Sequence, residues 1–199
     1  MQQLTFLTVV LFLATSGCYA FPNRQVGSTI SVLNGGGWGT WGPKQMCPYG
    51  YYAAGFSLLV EYPIRGDDTA LNGIRLHCVN SPFGKSVLSS YATVTSATGS
   101  WGTWTKAKYC QTGVMKNFQL RVEGHQGDGD DTAANNIKFQ CSDRSELVGD
   151  GTSWGTWGGW SKWCSGQGIC GIQTKVEGPQ GSGDDTSLND VQFICCDDY

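Results

Sequence analysis

Two histidines, no Cys-x-x-Cys pair and a thin scatter of charge are what this 199-residue chain has in place of an obvious reaction centre. With no Cys-x-x-Cys pair and little His the sequence argues against zinc, and no metal or other cofactor is expected. Thirteen Lys and Arg stand against sixteen Asp and Glu, with no basic stripe among them. That pattern argues against a nucleic-acid partner or an anionic membrane surface. Beyond the N-terminus no apolar run is long enough to cross a bilayer, so membrane insertion is not expected. No single serine stands out as a nucleophile. Long aliphatic runs are few while glycine is abundant, at 29 residues, which favours short strands and tight turns over helices.

What is present begins with the N-terminus. Residues 4–14 are almost entirely apolar, no charge precedes Arg24, and the stretch ends in Cys18, Tyr19 and Ala20. An apolar run this short with a small-x-small exit reads as an export signal rather than a spanning helix. Cleavage is expected after Ala20, leaving residues 21–199 as one secreted, extracellular domain. Of nine cysteines, Cys18 leaves with the signal. The remaining eight, an even number in an exported chain, read as four disulfides.

The chain repeats itself three times. Trp-Gly-Thr-Trp occurs at 38–41, 101–104 and 154–157, and Gly-Asp-Asp-Thr at 66–69, 129–132 and 183–186. An Asn follows each Thr by three residues (Asn72, Asn135, Asn189). The cysteine pairs 47/78, 110/141 and 164/195 are each 31 residues apart. The repeats run over about 28–80, 90–142 and 145–197. Within them apolar residues alternate with polar ones: Phe56, Leu58, Val60; Phe118, Leu120, Val122; Ile172, Thr174, Val176. After each Asp-Asp-Thr a second alternating run leads to a cysteine: Ile74, Leu76, Cys78; Ile137, Phe139, Cys141; Val191, Phe193, Cys195. Period two marks half-buried strands. Further strands are expected over 29–33, 91–95 and 146–148 and at each Trp motif.

Each repeat therefore reads as a four-stranded antiparallel sheet with one apolar face. Such a sheet cannot bury that face alone, but three turned inward around an axis can. The fold class is all-β: a β-prism of three sheets, with a three-bladed propeller satisfying the same pattern. Repeat logic pairs Cys47 with Cys78, Cys110 with Cys141 and Cys164 with Cys195. Cys196 has the opposite parity to Cys195, which leaves it with Cys170. The swapped pairing, Cys164 with Cys196 and Cys170 with Cys195, stays open because adjacent cysteines are not resolved by sequence.

The run Asn34-Gly-Gly-Gly-Trp-Gly-Thr-Trp-Gly resembles the vitelline membrane outer layer protein I family. So do Gly66-Asp-Asp-Thr-Ala-Leu-Asn-Gly-Ile-Arg-Leu, Gly129-Asp-Asp-Thr-Ala-Ala-Asn-Asn-Ile, Leu147-Val-Gly-Asp-Gly and Phe193-Ile-Cys-Cys. The resemblance spans residues 29–196. It implies a β-prism of three Greek-key sheets with pseudo-threefold symmetry, in a secreted protein of the egg's outer coat. It also implies carbohydrate-related behaviour, with extracellular glycans or glycoproteins as partners. The alternative it raises is a carbohydrate-active enzyme that transfers or hydrolyses amino-sugar oligosaccharides. It supplies no catalytic residues. A longer segment over 81–90 and the polar end at Asp197, Asp198 and Tyr199 depart from the pattern.

Acidic residues are the candidates for a glycan site. Asp67/Asp68, Asp130/Asp131 and Asp184/Asp185 could act as acid and nucleophile on a glycosidic bond. Equally, Gly-Asp-Asp-Thr suits a turn in which Asp accepts backbone N–H bonds, and its triplication favours that reading. Adjacent Asp residues alone fall short of a calcium loop. Glu61, Glu123 and Glu177 recur at the ends of the inner strands. They either line a shared acidic cavity, raising one another's pKa, or point to solvent. The repeated tryptophans read as plugs for the prism core or its ends, with Trp160 and Trp163, peculiar to the third repeat, better suited to the surface. His77 has outward parity, and His125 falls in a loop where it is either a base or merely solvated.

Overall fold

The computed structural model describes residues 24, 26–62, 69–80, 91–124, 134–178 and 187–197. The N-terminal stretch expected to act as an export signal, the 81–90 segment, Asp198 and Tyr199 lie outside them. Among the described residues fourteen strands, all paired antiparallel, make three sheets, and there is no helix. Each sheet is built on one long hairpin. The first joins β4 (Tyr52–Val60) to β5 (Leu71–Val79). The second joins β9 (Met115–Val122) to β10 (Ala134–Cys141), and the third β13 (Gly168–Val176) to β14 (Leu188–Cys196).

The edges of each sheet come from the following repeat. β6 (Tyr91–Thr95) pairs with β5, while β7 (Thr103–Trp104) and β8 (Lys108–Tyr109) pair with β4. In the second sheet β11 (Glu146–Val148) pairs with β10 and β12 (Thr156–Trp157) with β9. The order 7-4-5-6 is a Greek key: three strands in succession, the fourth returning beside the first. The third hairpin takes its flanking strands from the other end of the sequence. The N-terminal segment serves instead, β1 (Val26–Ile30) pairing with β14, and β2 (Thr40–Trp41) and β3 (Gln45–Met46) with β13. The repeat visible in sequence is thus offset from the sheet in space. This corrects the expectation that each repeat makes its own sheet: a Trp-motif strand only two residues long satisfies its backbone best against the open edge of the preceding hairpin.

The inner faces follow the predicted parity. Phe56, Leu58, Val60, Ile74, Leu76, Phe118, Leu120, Ile137, Phe139, Ile172, Val191 and Phe193 are all buried in one cluster shared by the three sheets. Phe139 sits at its centre, with ring centroids 4.8 Å from Phe56, 5.1 Å from Phe193 and 6.3 Å from Phe118. Edge-on and tilted packing at these distances adds to area burial.

Each hairpin carries two bulges at matching places. Toward its open end the extra residue is Ala54, Lys116 or Cys170. Its carbonyl accepts the N–H of Cys110, Cys164 or Cys47, at 2.8, 2.7 and 2.8 Å respectively. A bulge re-aims the backbone, and here it holds a cysteine of the neighbouring segment at the sheet boundary. Cys47, beside the third sheet, bonds to Cys78 of the first; Cys110, beside the first, bonds to Cys141 of the second; Cys164, beside the second, bonds to Cys195 of the third. Three disulfides therefore stitch three seams. The fourth, Cys170–Cys196, lies inside the third sheet, in a separate apolar cluster with Tyr52, Ala54, Val114 and Ile194.

Each seam disulfide closes a loop of the same sequence separation, 31. Replacing Cys47 and Cys78 together by Ser should lower stability by about 3–4 kcal/mol, the chain-entropy value for a loop of this length. Guanidinium unfolding of the oxidised protein measures it. The Cys110/Cys141 pair should cost the same within error, since geometry and loop length repeat.

Candidate functional site

The second bulge of each hairpin falls at the Gly-Asp-Asp-Thr end, and its extra residue is Asn72, Asn135 or Asn189, each fully buried. These are the recurring asparagines of the sequence. Their carbonyls accept the N–H of Gly99, Thr152 and Gly36, so each Asn ties its hairpin to the segment entering the next Trp motif. Asn72 does more. Its side-chain amide donates to Thr69 Oγ1 at 2.6 Å, and Thr69 Oγ1 donates to Glu61 Oε2 at 2.7 Å. Its Oδ1 accepts from Ser187 Oγ, 2.8 Å away on the third hairpin, and from the Trp101 backbone N–H at 3.3 Å. A buried polar chain thus runs from Glu61 on the first sheet to Ser187 on the third.

Over that chain opens a cleft between the first and third sheets. Thr69, Thr98, Gly99, Ser100, Trp101, Val176, Glu177, Gly178 and Ser187 line it. It encloses about 50 Å³, far below the several hundred Å³ of sites that engulf a ligand. It can seat an edge or a single ring of a larger molecule. Its furnishing is Trp101, 54% exposed, a carboxylate and several hydroxyls. An aromatic face stacks on an apolar ring face, while hydroxyls and a carboxylate exchange hydrogen bonds with ring substituents.

Of the acidic candidates, Asp67, Asp68, Asp130, Asp131, Asp184 and Asp185 lie outside the described residues, as does His125. Glu61 bonds Thr69 of its own hairpin, and Glu177 lines the cleft. Glu123 is half-buried just beyond β9. Among the described residues no cluster of His, Cys, Asp or Glu is placed to hold a metal ion, and no helix is long and apolar enough to cross a membrane. Thr98, Ser100 and Ser187 carried no signal in the sequence: their partners lie in other repeats.

The tryptophans correct one half of the sequence reading, that they plug the core. Phenylalanines fill the core, and the Trp motifs lie outside it: Trp38, Trp41, Trp101 and Trp154 are 67%, 42%, 54% and 53% exposed. The motif glycine explains the placement. Gly39, Gly102 and Gly155 have φ of 80°, 99° and 71°, and a Cβ on any of them would lie 2.3–2.4 Å from a backbone atom of Val176, Val60 or Val122. Only glycine lets the motif turn and lie flat on the hairpin edge. The preceding indole is thereby thrown outward.

His77 has the outward parity expected, yet is buried, because Tyr109 of β8 covers it. Its Nε2 lies 3.1 Å from Ser57 Oγ and its Nδ1 3.2 Å from the Tyr109 hydroxyl. The pair imitates a serine–histidine relay, but Ser57 is only 4% exposed and cannot meet a substrate. The string Gly151-Thr152-Ser153-Trp154-Gly155 has nucleophile-elbow spacing. It leads into a two-residue strand rather than a helix, so it lacks the elbow's geometry. Burial, with Arg75 as a lesser cause, holds the His77 imidazole below its ordinary pKa.

Two predictions follow from these contacts. Gly102→Ala should destabilise by about 1–3 kcal/mol, the cost of a strained backbone. Gly37→Ala, where a Cβ meets nothing within 4 Å, should be near neutral; thermal melts compare them. Because the folded His77 pKa lies below the unfolded one, the unfolded chain binds the extra proton first as pH falls. Stability should decline as pH drops below about 6.5 and stop declining, on this account, below the folded pKa. Urea unfolding of His77→Gln should lack that component of the pH dependence.

Comparison with known proteins agrees with this architecture. The family model described as vitelline membrane outer layer protein I matches residues 28–198. A human vitelline membrane outer layer protein 1 homolog is 52% identical over 193 residues, covering 94% of this chain and 93% of the relative. The mouse homolog is 46% identical over 188 residues, covering 90% and 91%. Among solved structures, the Calystegia sepium agglutinin matches with a TM-score of 0.51 at 12% identity, covering 85% of this chain and 95% of the lectin. A mannose-binding jacalin-related lectin from Ananas comosus matches with a TM-score of 0.50 at 12% identity, covering 85% and 97%. These lectins share the β-prism fold. The chain itself belongs to the vitelline membrane outer layer protein I family.

Proposed function

We propose that the protein is an extracellular coat component that holds a glycan at the Asn-bulge end of the prism, with the cleft beside Trp101 as the contact. The observation that carries the reading is the cleft's furnishing: an exposed indole, Glu177 and the Thr69, Thr98, Ser100 and Ser187 side chains over a rigid polar floor. Four disulfides, three of them at the seams, suit an oxidising compartment and a protein that must persist there. The apolar N-terminal stretch supports export. The relatives named for an egg's outer layer support a coat role, and the fold shared with lectins makes a glycan the natural ligand class. The shallow cleft favours recognition over catalysis. Glycoside chemistry needs two carboxyl groups set about 5–9 Å apart around the bond, and among the described lining residues Glu177 is the carboxylate.

Trp101→Ala in the oxidised protein should reduce binding on a neutral-glycan array by about tenfold, the loss of roughly 1.4 kcal/mol of stacking, with an unchanged melting temperature. Glu177→Gln should alter which glycans bind more than how many. Wild-type protein that binds no glycan, or a Trp101→Ala variant that binds as wild type, would remove the cleft from the account.

A further inference from the structure

The outer face of the second sheet differs from the other two. Its edge segment runs along β9: Thr156 and Trp157 pair with Val122 and Arg121, then Gly158, Ser161 and Cys164 donate to the carbonyls of Leu120, Phe118 and Lys116. Along this segment Trp157, Trp160 and Trp163 stand three residues apart. Three residues beyond the second motif Trp, the other repeats have Lys44 and Ala107; just before the seam cysteine they have Met46 and Tyr109. The third repeat alone extends its Trp motif into a row.

Cations from three different segments cover that row. Lys138 of β10 lies 5.0 Å from the Trp157 ring centre and 5.3 Å from that of Trp160. The Arg144 guanidinium stacks on Trp163 at 3.9 Å, and Arg121 lies 5.8 Å from Trp157. Lys116 is committed, buried and donating to the Gly166 carbonyl at 2.7 Å. The other three are not neutralised: no described carboxylate lies within ion-pair reach of Arg121, Lys138 or Arg144. Arg121 gives its Nε–H to the Gly155 carbonyl at 3.0 Å and has its terminal N–H groups left, while the Arg144 guanidinium, stacked by its face on an indole, keeps its edge N–H donors for an acceptor beyond. In the first sheet, by contrast, one cation of this kind, Arg75, lies over Trp104. In the third, Lys175, paired across from Trp41, donates to the Gly37 carbonyl at 2.5 Å. Glu146, opposite Gln140, marks the acidic edge of the second-sheet face.

We infer that this face is a second binding surface, separate from the cleft, for a sulfated polysaccharide. The exposed Trp160 and the half-buried Trp157 and Trp163 offer contact to sugar rings, and cations held against them meet charge carried on those rings. Along β9 the row runs from Arg121, opposite Trp157, to Lys116, whose carbonyl accepts from Cys164; five residues of strand at about 3.4 Å each make about 17 Å, long enough for a short oligosaccharide segment. A sulfate offers three acceptor oxygens, which serve both the point-like ammonium of Lys138 and the forked donors of Arg121 and Arg144. The alternation of ring and charge sets this face apart from a plain basic patch, which would take any polyanion.

The test uses the oxidised protein with dextran sulfate, uncharged dextran, a polyuronate and duplex DNA as immobilised probes. Wild type should be retained on dextran sulfate, elute with rising salt, and pass through dextran. Lys138→Gln/Arg144→Gln should weaken dextran sulfate binding at least tenfold. Lys44→Gln/Lys106→Gln, which removes the same charge from other sheets, should stay within about twofold of wild type. Trp160→Ala should weaken binding without changing net charge, and Trp101→Ala should leave it intact, so this surface and the cleft fail or stand separately. Equal losses in the two double variants would reduce the effect to net charge and overturn the assignment. Equal retention on the polyuronate or on DNA would overturn the choice of sulfated polysaccharide.

Discussion

A β-sheet that is apolar on one face must be covered, and three such sheets facing an axis cover one another only if none has an open edge to fray. Here the edges of the long hairpins are covered by exchange. Each hairpin borrows its flanking strands from the next repeat, and the third borrows from the N-terminus, so β1 on β14 closes the ring. Everything else leans on that closure. The seam disulfides can form because the borrowed segments bring Cys47, Cys110 and Cys164 onto bulges at the sheet boundaries. The four phenylalanines meet because the hairpins are held at a fixed angle around the axis. Arg24 secures the end of the closing segment, donating to the carbonyls of Cys47, Pro48 and Tyr51.

Much of this was legible in the residues. Period-two alternation through Phe118, Leu120 and Val122 placed the inner strands and their inward faces, because strand parity is local. The exchange of edges was not legible: a two-residue strand such as Thr103–Trp104 has no period to read, and its partner is chosen by chain reach and open edge. The tryptophans were misjudged for a related reason. Their size argued for the core, but the positive-φ glycine inside the motif and the cations of Arg75, Lys138 and Arg144, supplied from elsewhere in the chain, settle them outside. The recurring Asn was visible as a pattern, but its meaning, a buried bulge bonded across repeats, needed Ser187 and Gly99 beside it.

The symmetry of the framework also separates scaffold from function. Features present three times, such as the bulges, the motif glycines and the seam cysteines, do the work of closure. Features that break the symmetry are where a ligand can be told apart from a fold requirement. Ser187 reaching Asn72 below the Trp101 cleft is one; the row Trp157, Trp160, Trp163 under its cations is another. The composition gave no hint of the second, since its cations are far apart in sequence and gather only when β9, β10 and the turn after β10 come together.

The central claim is that the third sheet is completed by the first repeat. Native-state hydrogen exchange on the oxidised protein, with and without residues 24–33, tests it directly. In the intact chain the amides of Phe193, Ile194 and Cys196, whose strand pairs with β1, should exchange as slowly as those of the β4–β5 hairpin. Without the segment they should lose protection by orders of magnitude while β4 and β5 change far less. Unaltered protection along β14 in the shortened chain would contradict the closure and the account built on it.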